Sequence, residues 1–225
     1  MSTRHEPPAA AGTDRTWIFA YGSLVSPASL GATIGRDVTL AHDVVAAELH
    51  GYRRAWNYGS AVLRGDWSTP DGGEVVGGLV VSLGLVAEEG ATANGVVFAV
   101  GADELADLDW RERAYDRVDV TDAVVLDLRD VGDGAARRVG DPHGGASGRR
   151  IVTYVPRSSS IERYREHRDA GTAAVRRNYV ELVERAFDEL GPDHGERYRT
   201  TTPEPDVPIA DVRIDPLPSP RPRPS

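Results

Sequence analysis

Trp17-Ile18-Phe19-Ala20-Tyr21-Gly22-Ser23-Leu24 is the stretch on which the fold turns. Its first five residues are aromatic, aliphatic or small, and they read as a short buried strand. Gly22 breaks that run and allows a sharp turn at the strand's end. Consecutive backbone N–H groups in such a turn make a nest for a carboxylate or an oxyanion. An ordinary exit from strand to loop has the same local pattern, so the meaning of Tyr21-Gly22-Ser23-Leu24 depends on what the rest of the chain brings to it.

Downstream, strands dominate. Val44 to Tyr52, Arg53 to Tyr58, Val75 to Leu83, Gly95 to Val100, Arg117 to Leu128 and Ile151 to Val155 all have β-prone runs. Pro70-Asp71-Gly72-Gly73 marks a turn before the third of these. Ala174 to Leu190 carries Val175, Tyr179, Leu182, Val183, Ala186, Phe187 and Leu190 at helical spacing, and Gly191-Pro192 ends it. A shorter helix is expected to start near Asp103, a suitable N-cap. Consecutive strands with one long late helix predict an α+β fold.

The sequence divides into a lead over residues 1–15, a folded body over 16–191 and a tail over 192–225. Eight of the fifteen prolines lie between Pro203 and Ser225, a density that reads as an extended tail. The Gly-, Asp- and Arg-rich stretch from Asp130 to Gly148 reads as a mobile loop. The chain has 225 residues, 40% of them hydrophobic, so one sizeable core is expected. It has no cysteine, which leaves disulfides, thiolate metal sites and a cysteine nucleophile without a residue. With a net charge of −9 and no basic run, nucleic acid is not an expected partner. Residues 1–14 show no signal-peptide pattern and no apolar run is of membrane-spanning length, so a cytoplasmic location is expected and a membrane is not.

The candidate chemistry centres on Glu112. Leu105, Leu108, Glu112 and Tyr115 are offset by three, four and three residues. If the helix from Asp103 extends that far, all four share an inward face, with Asp107 and Arg111 on the other side. A carboxyl on an apolar stripe has a raised pKa, as a general acid/base near neutrality requires. Ser23 lacks the Gly-x-Ser-x-Gly elbow of a serine hydrolase. His5, His42, His50, His143, His167 and His194 have no metal-binding spacing, so a metal is not expected.

Four pieces together resemble the γ-glutamylcyclotransferase-like superfamily, with its ChaC and AIG2-like branches. They are the strand with Tyr21-Gly22-Ser23-Leu24; Gly51-Tyr52-Arg53-Arg54; Leu108-Asp109-Trp110-Arg111-Glu112 followed by Tyr115, Arg117 and Val118; and the late helix with Asn178-Tyr179. The resemblance spans roughly residues 17–191. It implies a small mixed β-barrel flanked by helices. It also implies a turn at Tyr21, Gly22, Ser23 and Leu24 that binds a glutamyl group through backbone amides. Glu112 would be the catalytic acid/base, with Tyr115 and Tyr154 lining the pocket. The implied reaction is cyclisation of a small γ-glutamyl amide to 5-oxoproline with release of the amine; the nucleophile is the substrate's own, so the resemblance implies no cofactor. A non-catalytic small-molecule binder on the same fold is the alternative. The Asp130–Gly148 stretch, the Trp67–Glu74 linker, the proline-rich tail and the directly adjacent Asn178-Tyr179 depart from the ChaC pattern.

Overall fold

A computed structural model describes residues 15–127 and 150–214. All of the expected lead over 1–15 except Arg15, the whole Asp130–Gly148 stretch and the terminal proline run lie outside the described residues. No helix of the described residues is long and apolar enough to cross a membrane.

The first strand, β1 (Thr16–Ala20), is where the sequence puts it, and Ile18 and Phe19 are fully buried. Two very long strands form the backbone of the sheet: β2 (Val44–Ser68) and β3 (Glu74–Val100), joined at the expected Pro70–Gly73 turn. The sequence reads these as four shorter strands. The breaks it detects are irregularities inside continuous strands, with the β2–β3 register shifting at His50/Tyr52, Ala55/Tyr58, Gly59/Arg64 and Gly65/Trp67. Gly51 sits in the first shift at φ 77°, a left-handed conformation that favours glycine. Such bulges bend and twist a long hairpin.

The expected Arg117–Leu128 strand is two strands, β4 (Tyr115–Asp119) and β5 (Val124–Leu126), separated by a 3-10 turn over Thr121–Ala123. With β6 (Ile151–Pro156), the main path runs β4-β6-β1-β3-β2-β5. This order requires curvature. Five residue steps from Asp119 to Val124 reach at most about 18 Å, whereas the two ends of a flat six-strand path would be about 24 Å apart. The mixed sheet therefore curls toward a barrel, as the fold reading expects: β1 pairs parallel with β6 and antiparallel with β3.

Among the described residues, six α-helices flank the sheet: α1 (Pro27–Ile34), α2 (Leu40–Asp43), α3 (Ala102–Arg111), α4 (Ser158–Asp169), α5 (Arg177–Glu189) and α6 (Pro192–Thr201). The expected late helix begins three residues late. Ala173–Arg176 instead forms β7, parallel to β3 through Leu79↔Ala173, Val80↔Ala174 and Val81↔Val175. Ladder bonding to a buried strand overrides the helical spacing of Val175. Helix α3 starts one residue before Asp103, and Glu104 accepts a bond from the Gly101 N–H at 2.8 Å in place of an Asp103 cap.

The expected boundary at Gly191 is also corrected, because ordered structure continues to Ile214. Helix α6 stacks Tyr198 on Phe187 with ring centroids 4.5 Å apart. After it, the Trp56 indole donates to the Pro203 carbonyl at 2.8 Å and the Val175 N–H to the Pro208 carbonyl at 2.9 Å. Proline lacks a donor but keeps its acceptor, so this segment is held by bonds given to it. Strands β8 (Ile209–Ala210) and β9 (Arg213–Ile214) then add to β7 and β2.

Candidate active site

The site lies in a gap along one edge of β3. On that edge β1 covers residues 96–100 and β7 covers 79–81, and among the described residues the stretch between has no strand neighbour there. The gap holds a small inner pocket of about 40 Å³ lined by Tyr21, Gly22, Ser23, Leu24, Glu112, Tyr115 and Tyr154, together with Leu83 and Tyr179. All seven residues singled out in the sequence thus meet in one cavity. An outer basin of about 370 Å³ shares Ser23, Glu112, Tyr115 and Tyr179 with it. The inner pocket alone holds about three waters, so a glutamyl-sized group would extend into the basin.

Glu112 arrives by a route other than the expected one. Helix α3 stops at Arg111, and Glu112 is its C-cap at φ −92° and ψ 22°. Its N–H donates to the Leu108 carbonyl and its own carbonyl accepts from the Tyr115 N–H, both at 2.8 Å. Tyr115 therefore opens β4 and is not a helical residue sharing a stripe with Leu105 and Leu108. The cap turn brings both side chains to the pocket all the same. The Glu112 side chain keeps 13% exposure. Burial raises its carboxyl pKa above the ordinary glutamate value, with Arg111 acting in the opposite sense.

Arg111 is likewise not on the far side. Its Nε pairs with Glu112 Oε1 at 3.0 Å, and a terminal nitrogen donates to Ser23 Oγ at 2.9 Å. The same guanidinium bonds the Ser29 carbonyl at 3.3 Å and the Thr33 hydroxyl. One cation thus ties the catalytic carboxyl candidate to the Tyr21–Leu24 turn and to α1.

The turn itself is a 3-10 turn over Ser23–Val25. Gly22 has φ −132° and ψ −134°, outside the left-handed region. Space also favours glycine here: a Cβ would stand 3.2 Å from the Tyr179 hydroxyl oxygen. Burial raises the Tyr179 pKa to about 12, while the backbone amides of Leu83 and Ser23 pull against that rise. Leu83 falls within the Ala55/Tyr58 register shift, between paired Ser82 and Gly84, so its backbone has no rung opposite on β2.

The other tyrosines serve mainly as walls. Tyr21 donates to the Tyr154 carbonyl at 2.7 Å, and Tyr115 to the Leu83 carbonyl at 3.3 Å. Tyr154 lines the pocket, and its hydroxyl is committed to Asp109 at 2.8 Å. Tyr115 stacks on Tyr58 with centroids 4.3 Å apart.

Behind the turn sits Arg54, the last residue of the Gly51–Arg54 piece, fully buried. Its Nε donates to the Tyr21 carbonyl at 2.9 Å and a terminal nitrogen to Asn94 Oδ1 at 2.8 Å. It has no carboxylate partner among the described residues. The rings of Phe187 and Tyr198, 4.9 and 5.0 Å away, and neutral acceptors hold it, and burial pulls its pKa down to about 10.

Tyr179, Arg111 and Leu83 are the site residues that sequence reading did not assign. Tyr179 belongs to the Asn178-Tyr179 pair and Arg111 directly precedes Glu112, so both lie within the motifs; Leu83 contributes through its backbone, which has no signature in sequence. Among the described residues, no cluster of three or more His, Asp or Glu is placed to hold a metal.

No protein-family model matches the chain, and no curated protein does. Several solved structures are similar to it. One described as a gamma-glutamyl cyclotransferase has 14% identity and a TM-score of 0.48, over 85% of this chain and 89% of that one. An uncharacterized protein from Homo sapiens has 15% identity and a TM-score of 0.47 over the same shares. YkqA from Bacillus subtilis has 19% identity and a TM-score of 0.45, over 84% of this chain and 54% of that one.

Proposed function

We propose that the chain is a γ-glutamylcyclotransferase. The observation that carries this reading is a largely buried carboxyl, Glu112, sharing one small pocket with the Tyr21–Leu24 turn and the Tyr179 hydroxyl.

The reaction is an internal aminolysis. Glu112, as carboxylate, takes a proton from the substrate's α-ammonium group. The freed amine attacks the γ-carbonyl carbon, forming the new C–N bond of a five-membered ring. The tetrahedral intermediate then expels the leaving amine as Glu112 returns its proton to that nitrogen. The ring nitrogen, which still carries two protons after the attack, passes its extra one through the same carboxylate to the departing amine, which leaves as an ammonium. The products are 5-oxoproline and a free amine. The nucleophile belongs to the substrate, so the protein's tasks are orientation and proton transfer. Backbone amides of the turn and the Tyr179 hydroxyl face the glutamyl carboxylate or the developing oxyanion. The Tyr179 hydroxyl lines the same pocket and has a proton to give to that charge. Arg111 keeps Glu112 from becoming too weak an acid, so that both protonation states stay accessible.

The test is Glu112→Gln protein, shown to fold by thermal unfolding, mixed with γ-L-glutamyl-L-alanine while 5-oxoproline is followed. Turnover is expected to fall about 10²–10⁴-fold. Wild-type-like turnover would end the assignment.

A further inference from the structure

The outer basin carries a cation that the cyclisation does not use. Its charged lining residues are Arg111, Glu112 and Arg176. Arg111 is committed to Glu112, Ser23, Ser29 and Thr33. Arg176 is not committed: its Nε is buried without a hydrogen-bond partner, and it has no ion pair among the described residues. A buried donor left unmade costs about 1–3 kcal/mol, more for a charged group, so its retention asks for an acceptor.

The surroundings favour an anion as that acceptor. Glu112 is the one carboxylate lining the basin among the described residues, and it is already paired. Ser60, Ser82 and Asn178 add neutral polar groups. Burial and Glu112 raise the pKa of Tyr58, another lining residue, while Arg113 and Arg163 act on it in the opposite sense, so positive charge also reaches the basin from behind. In a chain of net charge −9, this is a local inversion of sign. Burial also lowers the Arg176 pKa, as expected for a cation without a counter-charge.

We propose that Arg176 binds a carboxylate on the leaving-amine side of the substrate, so that the site prefers γ-glutamyl amino acids and peptides over γ-glutamyl amines that lack that carboxylate. This rests on the proposed cyclisation site. The glutamyl end occupies the inner pocket and places the scissile amide at Glu112. The leaving portion then extends into the basin that Arg176 lines. The planar guanidinium fork matches a carboxylate with two parallel N–H donors.

γ-L-Glutamyl-L-alanine and γ-L-glutamylethylamide differ by this one carboxylate. Their dissociation constants are measured by titration calorimetry on Glu112→Gln protein, which removes turnover, with Arg176, Arg176→Met or Arg176→Lys. Thermal unfolding checks each fold. With Arg176 the alanine conjugate is expected to bind about 10–100-fold tighter. The ratio falls to near one in Arg176→Met and to an intermediate value in Arg176→Lys. If the Met variant does not fold, the Lys ratio decides. Equal binding of both ligands to the Arg176 protein, an unchanged ratio in the variants, or binding of neither ligand would overturn the proposal. The cyclisation reading fails separately: wild-type protein would then bind the ligands and release no 5-oxoproline.

Discussion

Arg54→Met should destabilise the protein by about 2–5 kcal/mol. The estimate follows from what the guanidinium touches. Its loss leaves three buried acceptors without this donor, the Tyr21 carbonyl, the Asn94 carbonyl and Asn94 Oδ1, and also the part-buried Thr201 and Thr202 hydroxyls. Each unmade buried bond costs about 1–3 kcal/mol. The cation also sits over Phe187 and Tyr198, contacts worth about 0.5–2 kcal/mol each. Against these losses, the variant no longer buries a charge, an offset of several kcal/mol. The balance remains a loss, because methionine fills the volume but donates nothing. Arg54→Lys should not rescue it, since one ammonium cannot reproduce a fork that spans Tyr21 and Asn94. Equilibrium urea unfolding measures the difference, which is large beside a typical total of about 5–15 kcal/mol. A loss below about 0.5 kcal/mol would refute the view that Arg54 anchors the turn.

Three further expectations follow from the same geometry. The raised Glu112 pKa means that the folded state binds this proton more tightly than the unfolded chain does. Its contribution is therefore fully present below the unfolded value of 4.5 and is lost as pH rises through the folded value. Glu112→Gln should be more stable than wild type at pH 7, with the gain gone below about pH 4, as unfolding midpoints across pH will show. Gly22→Ala places a Cβ 3.2 Å from the Tyr179 hydroxyl. It should lower turnover about tenfold or more with a stability change under about 1 kcal/mol, measured by 5-oxoproline release and thermal unfolding. Truncation after Gly191 removes Tyr198 from Phe187 and the acceptors of Trp56 and Val175. The shortened chain should fail to unfold cooperatively in a calorimeter.

The parts of the fold written in side-chain pattern were legible, and those written in backbone bonding were not. Trp17–Tyr21 is an apolar run that can hardly be anything but a buried strand. Val183, Ala186 and Phe187 form the inward stripe of α5. Helix α4 has no such stripe. Only Ser160 and Tyr164 are buried, and it packs so closely on β2 that a Cβ on Gly59 would collide with its backbone. Helix α6 buries little beyond Tyr198. Proline density after it predicts broken structure because proline cannot donate, whereas the Pro203 and Pro208 carbonyls accept. At the site, Glu112 was found because two leucines precede it at helical spacing. Arg111 was misplaced because that spacing assumes a helix that continues, and the helix caps at Glu112. Tyr179 lies on the helical stripe, where a tyrosine is indistinguishable from core until the cavity is seen. Arg176 had no periodic signature, lying at the joint between β7 and α5.

The central claim, that the substrate's own amine attacks its γ-carbonyl, is tested most directly in water enriched in oxygen-18. Wild-type protein is incubated with γ-L-glutamyl-L-alanine and the products are resolved by mass spectrometry. The account predicts unlabelled 5-oxoproline and alanine in equal amounts. Glutamate carrying oxygen-18 would instead show attack by water or a hydrolysed acyl-enzyme, and would contradict it.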